Sequence, residues 1–261
     1  MAKIYLINVG ANTGHASQAR APLFPDGSFE FVSFPDDGSE IPYPREAWPY
    51  VSDSKVLKTH ADPDWQRLTY GDNCANRRAK ALLSAEPGDM LLFWGLFWKI
   101  AQRGKGIFVC GGEDRRWCLF GALTVKHVIK AEAGFDVAVR ARVRDRDDQR
   151  RALRNAHVHD GCLPRIKKGR HDVLFVSDTT RSARFDRAVD LEVYRDNGLL
   201  RRTIFSSDGR ALNWSQRPRW NSSLRPCRVV LDHSDREHAK RLEILRKSLI
   251  AANPDLGRLW P

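Results

Sequence analysis

Pro87-Gly88-Asp89-Met90-Leu91-Leu92-Phe93-Trp94-Gly95 is the stretch on which the fold turns. Pro-Gly-Asp is a turn signal, and the apolar run behind it is too compact for a helix and ends at another glycine, so it predicts a buried strand. A second β-rich run, Trp117-Cys118-Leu119-Phe120-Gly121-Ala122-Leu123-Thr124-Val125, continues through His127-Val128-Ile129 and follows a Gly-Gly-Glu-Asp-Arg turn at 111–115. The two runs are expected to pair as antiparallel neighbours and to form the heart of a sheet or barrel.

Outward from this centre, Lys3 to Val9 reads as a first strand that breaks into the loop Gly10-Ala11-Asn12-Thr13-Gly14-His15. Pro25-Asp26-Gly27 reads as the tight turn of a hairpin between Leu23-Phe24 and the alternating run Ser28 to Phe34. Pro35, Pro42, Pro44 and Pro49 rule out a central strand or a helix interior, so residues 35–65 are expected to form a surface excursion. Asp72 or Asn73 is placed to cap a helix through Ala75 to Leu83. Later strands are expected at Asp172 to Val176 and Arg228 to Leu231, and a C-terminal helix over 234–250 with Ser234 and Glu237 as a capping box. The result is one domain over 1–261 of the α+β class, built round a strongly bent mixed or antiparallel sheet or a pseudo-barrel, with peripheral helices.

The chain has 261 residues, with Lys+Arg 44 against Asp+Glu 32 and a formal charge of +12. Such a charge concentrates polyanions near the surface and makes their binding salt-dependent, so nucleic acid or nucleotides are the expected partners. No apolar run approaches the roughly 20 residues that span a bilayer, and the first ten residues are too little apolar for a signal peptide. The Cys total of 5 is odd, and no Cys-x-x-Cys pair occurs, which points to a reducing, cytoplasmic setting rather than a disulfide framework.

Four groups of residues have the types that chemistry on a base requires. Asn12, His15 and Arg20 crowd the first loop, where an amide reads a base edge, an imidazole moves a proton near neutral pH and a guanidinium holds a phosphate. His15 and Asn12 with Asp72 are the expected catalytic set, His15 as the acid/base and Asp72 or Asp89 to orient it or a substrate amine; the plain alternative is that Asn12 and Gly14 only supply turn dihedrals. His157 and His159 would share one side of a strand, a spacing that suits one metal, but no recognised zinc pattern extends it through Asp160, Cys162 or His171, so the sequence assigns no metal and no cofactor. Asn213, Trp214, Arg217, Arg219 and Trp220 alternate stacking rings with phosphate-binding arginines and are expected to bind nucleic acid or nucleotide together with Arg20, Trp94 and Trp98. Core packing is the competing reading for all four tryptophans. Arg140 to Arg154 mixes arginines with Asp145, Asp147 and Asp148 and reads as an exposed, salt-bridged face. There is no Walker loop, no Gly-x-Ser-x-Gly elbow, no His-Glu-x-x-His helix and no deaminase His-x-Glu with its Cys pair.

Taken together, the Asn/Gly/His-rich first loop, Ala21-Pro22-Leu23-Phe24-Pro25-Asp26-Gly27-Ser28-Phe29, Thr69-Tyr70-Gly71-Asp72 and Pro87-Gly88-Asp89 with its apolar strand resemble the nucleotide modification associated domain 3 family. The resemblance implies an accessory or an enzyme in a system that modifies bases in DNA or nucleotides, with other base-modification enzymes as partners. A partial similarity joins Gly88 to Phe93 and Leu119 to Val125 to the paired strands of the EVE and ASCH branch of PUA-like barrels, which implies instead a non-catalytic reader with Trp94, Trp98 and Trp117 as its cage.

Overall fold

In the computed structural model, which describes residues 2–11, 13–36, 39–52, 57–73, 80–103, 114–131, 135–159, 172–191, 227–232 and 234–260, the central pair forms where the apolar runs place it. Strand β4 (Met90–Lys99) and strand β5 (Arg115–Ala131) are antiparallel, with Leu92 opposite Ala122 and Phe93 opposite Gly121. Every residue of β4 but Lys99 is buried, so both faces of the strand are covered, which is why its sequence is continuously apolar and does not alternate.

Around this pair the chain lays down β1 (Lys3–Asn8), β2 (Ala21–Leu23), β3 (Thr69–Asn73), β6 (Asp172–Ser177), β7 (Ala183–Asp190) and β8 (Cys227–Asp232). The sheet runs β3-β6-β5-β4-β1-β8, with β2 also on β4 and β7 also on β5. It is mixed: β1 and β2 lie parallel to β4, and the other pairs are antiparallel. Strand β5 is the hinge of the sheet. Its first half pairs with β4 and β7, a bulge falls between Val125 and His127, and its second half turns away to pair with β6.

The α+β class holds. The pseudo-barrel does not form among the described residues, because the path ends on β3 at one side and β8 at the other without the two meeting. Helices α1 (Phe135–Arg142), α2 (Arg146–Leu153) and the single turn α3 (Ala156–His159) follow β5, and α4 (Arg236–Ala252) packs on β7 and β8. Phe135, Val139, Val143 and Ala152 bury against Ile129, Leu174 and Val176 as a second, smaller core. The arginines of this region pair as expected, Arg140 with Asp136 and Arg150 with Asp147. No helix among the described residues is long and apolar enough to cross a membrane.

Three local expectations change. The turn at 25–27 closes on Gly27 with a φ of +84°, but the second hairpin arm is reduced to one bridge, Leu23 with Phe29. Asp72 sits in β3; the helix expected to begin at Ala75, with its cap, falls largely on residues 74–79, outside the described residues, and Lys80–Ser84 is a short 3-10 turn. At α4 the cap is Asp235, whose Oδ1 accepts the His238 N–H at 3.0 Å, while the Ser234 hydroxyl donates to Asp232.

The Pro-rich excursion is more than a surface loop. It holds little regular structure beyond the 3-10 turn Arg45–Tyr50, yet it buries Tyr43, Tyr50, Thr59 and Asp62. Trp65 anchors its end by lying on Gly121, where any side chain would overlap the indole. Phe31, Phe93 and Phe120 complete the aromatic seat of Trp65, with ring centroids 5.5 to 6.4 Å from it.

Candidate active site

Anchoring Trp65 on the sheet brings the preceding residues, His60 and Asp62, against β3 and α3. The loop between Ala152 and Ala156 is organised by Asn155, which is fully buried. Its Nδ2 donates to Asp62 Oδ1 at 3.1 Å and to Thr69 Oγ1 at 3.0 Å, and its Oδ1 accepts the His157 N–H at 2.9 Å. One amide thus ties the excursion, β3 and α3 together, satisfying donors and acceptors that would be costly to bury alone. Gly71 does the rest. A Cβ at this position would overlap the His157 ring, so only glycine lets the imidazole lie against β3. The Gly71 N–H is also used, donating to Asp62 Oδ2 at 2.8 Å.

The result is a compact group of two imidazoles and two carboxylates. His60 and His157 face each other Nε2 to Nε2 at 3.0 Å, with rings perpendicular and centroids 4.7 Å apart. His157 Nε2 lies 3.4 Å from Asp62 Oδ2, and His60 Nδ1 lies 3.5 Å from Asp36 Oδ2. Asp72 Oδ2 accepts the Tyr70 hydroxyl at 2.5 Å. Asp62 is 2% exposed, whereas the His60 and His157 side chains keep 14% and 11% of their surface, so the imidazoles form the accessible edge and the carboxylate the floor.

Electrostatics follow from burial. Burial pushes the Asp62 carboxyl up to about 7, although the His60 charge and the hydrogen bonds from Gly71 and Asn155 pull the other way. Burial likewise raises Asp72 to about 6, opposed by the Tyr70 hydrogen bond and the charge of His157. Two carboxyls raised in this way stand beside two imidazoles, a clustering of perturbed ionisable groups that is most frequent at functional sites.

The residues singled out in the sequence are distributed unevenly about this group. Asp72 belongs to it, its charge coupled to His157, Asp62 and His60. His15 reaches its edge: its ring stacks on Phe34 at 5.5 Å, and Phe34 stacks on His60 at 5.0 Å, so three rings run in a row from the first loop to the cluster. Arg20 is turned back on its own loop, donating through Nε to the Ala16 carbonyl at 2.6 Å. Trp94 and Trp98 lie in the core at 3% and 2% exposure, and the Trp94 ring packs against Trp117 at 5.0 Å. Asn12, Asn213, Trp214, Arg217, Arg219 and Trp220 lie outside the described residues.

His157 carries a different partnership from the one its spacing suggested. Ala156–His159 is a helical turn and not a strand, which removes the two-residue periodicity that would set His157 and His159 on one side. Its partners are His60 and Asp62, which sequence reading passed over. The signal available was slight: Thr59-His60-Ala61-Asp62, a His and an Asp two apart in a stretch otherwise read as loop.

The protein is thus an α+β fold whose open mixed sheet carries a largely buried histidine and carboxylate cluster. Residues 3–240 match the family described as nucleotide modification associated domain 3, and the chain belongs to that family. Membership associates it with nucleotide modification systems. Neither the curated proteins nor the solved structures yield a significant match.

Proposed function

We propose that this chain is a component of a DNA or nucleotide base-modification system, and that a base or nucleotide is handled at the edge formed by His15, Phe34, His60 and His157. The observation that carries the reading is the convergence of His60, Asp62, Asp72 and His157 from three separated segments into one largely buried group, with the His15–Phe34–His60 ring row beside it. Flat rings in a row suit stacking against a base, and the part-exposed His15 imidazole at the end of the row suits proton transfer to and from its ring nitrogens or exocyclic groups. The +12 charge supports an anionic partner. Other components of the modification system are its expected protein partners.

The alternative of a reader with Trp94, Trp98 and Trp117 as cage receives no support from their burial at 3%, 2% and 6% exposure. The test is mass-spectrometric analysis of nucleosides from nucleic acid and nucleotide pools of cells expressing the chain with its neighbouring modification components. A modified nucleoside that disappears with His157→Gln, in protein that still folds, supports the proposal. An unchanged nucleoside profile in wild type and variant contradicts it.

A further inference from the structure

The histidine and carboxylate group has the geometry of a metal site. His60, Asp62 and His157 each offer a ligand atom, and these atoms lie within 4.8 Å of one another. A tetrahedral ion with bonds of about 2.0 to 2.1 Å holds neighbouring ligand atoms roughly 3.3 Å apart. The two shortest separations here, 3.0 Å between the Nε2 atoms and 3.4 Å from His157 Nε2 to Asp62 Oδ2, bracket that value.

The surroundings point the same way. A ligating histidine commonly donates its second ring N–H to a carboxylate, which fixes the tautomer and strengthens the ligand. His60 Nδ1 is buried without a hydrogen-bond partner, and the nearest acid, Asp36 Oδ2, stands 3.5 Å off, a short adjustment from that bond. A ligating carboxylate is itself held by hydrogen bonds, and Asp62 accepts one on each oxygen, from Asn155 and from the Gly71 N–H.

We propose that His60 Nε2, His157 Nε2 and Asp62 Oδ2 bind one divalent transition-metal ion. Two imidazoles and one carboxylate are the donor set of both mononuclear zinc and non-haem iron(II) sites, and they disfavour Mg2+ and Ca2+, which take oxygen ligands. Three protein ligands leave the remaining positions to water or a substrate atom, the pattern of catalytic and not of structural sites. This inference goes beyond the functional proposal and stands without it.

The test is anaerobic titration of chelator-treated full-length protein with Co2+, read by its visible d–d absorption, followed by competition with Zn2+, Fe2+ and Mg2+. One Co2+ per chain at micromolar concentration, displaced readily by Zn2+, less readily by Fe2+ and not by Mg2+, is expected. His60→Ala and His157→Ala should each abolish the absorption, Asp36→Asn should weaken binding about 10- to 100-fold, and Gly71→Ala should weaken it with every ligand retained. Cooperative unfolding of each variant is checked in parallel; if an alanine variant does not fold, His60→Gln and Asp36→Asn decide. No uptake by wild type, or equal uptake by wild type and these variants, overturns the proposal. Wild-type protein that binds nucleotides but no metal would overturn this inference alone, and uptake of metal without nucleotide binding would leave it standing while counting against the function proposed above.

Discussion

Asn155 donates to Asp62 across 93 residues of chain, and the 3.1 Å bond joins the excursion after β2 to the helical segment after β5. The same amide holds Thr69 of β3 and the backbone of His157, so a single buried residue sets the positions of two of the groups in the cluster, Asp62 and His157.

Replacing Asn155 with alanine therefore takes the amide away from a buried carboxylate oxygen, the buried Thr69 hydroxyl and the part-buried His157 N–H. A loss of about 1 to 3 kcal/mol per orphaned group is expected, read as a lower urea midpoint with an unchanged slope.

Gly71→Ala drives a methyl group into the His157 ring, which cannot retreat without leaving Asp62. Overpacking of this kind costs about 1 to 3 kcal/mol. The His157 imidazole resonances should shift in NMR spectra while those of His127, on the far part of β5, stay in place.

Asp148 provides a pH-dependent contribution away from the site. Burial pushes its carboxyl up, but hydrogen bonds from Lys126, Arg151 and His127 outweigh that and lower it to about 2. The folded value lies below the ordinary 3.8, so the stabilisation is fully present above about pH 4 and is lost as pH falls towards 2. Its size is about 2 kcal/mol. Urea unfolding at stepped pH should show the difference between wild type and Asp148→Asn shrinking across this window.

Trp94→Ala distinguishes a core ring from a binding ring. With 3% exposure and Trp117 as neighbour, its removal should cost about 3 to 5 kcal/mol. Thermal unfolding should register the loss, and nucleotide affinity of the remaining folded protein should be unaltered.

The parts of the fold that were legible in the sequence are those whose information is local. The apolar run of β4, the alternation and Gly punctuation around β5, and the periodic C-terminal helix each carry their own signal. The parallel pairing of β1 with β4, strands β3 and β7, and the open edges of the sheet depend on partners far along the chain, to which local pattern is blind. The same limit applies to the site. Asp72 and His157 were visible as chemically suggestive residues, but His60 lies 97 residues from His157 in a stretch whose prolines announce a loop, and the two meet through the seating of Trp65 on Gly121, the Asn155 amide and the bare Gly71.

Whether the His60 edge receives a base or nucleotide is decided by equilibrium binding. Wild type and His60→Ala would be titrated with free nucleotides, single strand, plain duplex and base-modified duplex at two salt concentrations. Wild type is expected to bind, more weakly at higher salt for the polynucleotides, and His60→Ala to lose at least about tenfold, or 1.4 kcal/mol, for the preferred ligand at both salts. Equal affinity of the two proteins for every ligand would contradict it, and would place any binding on the basic surface alone.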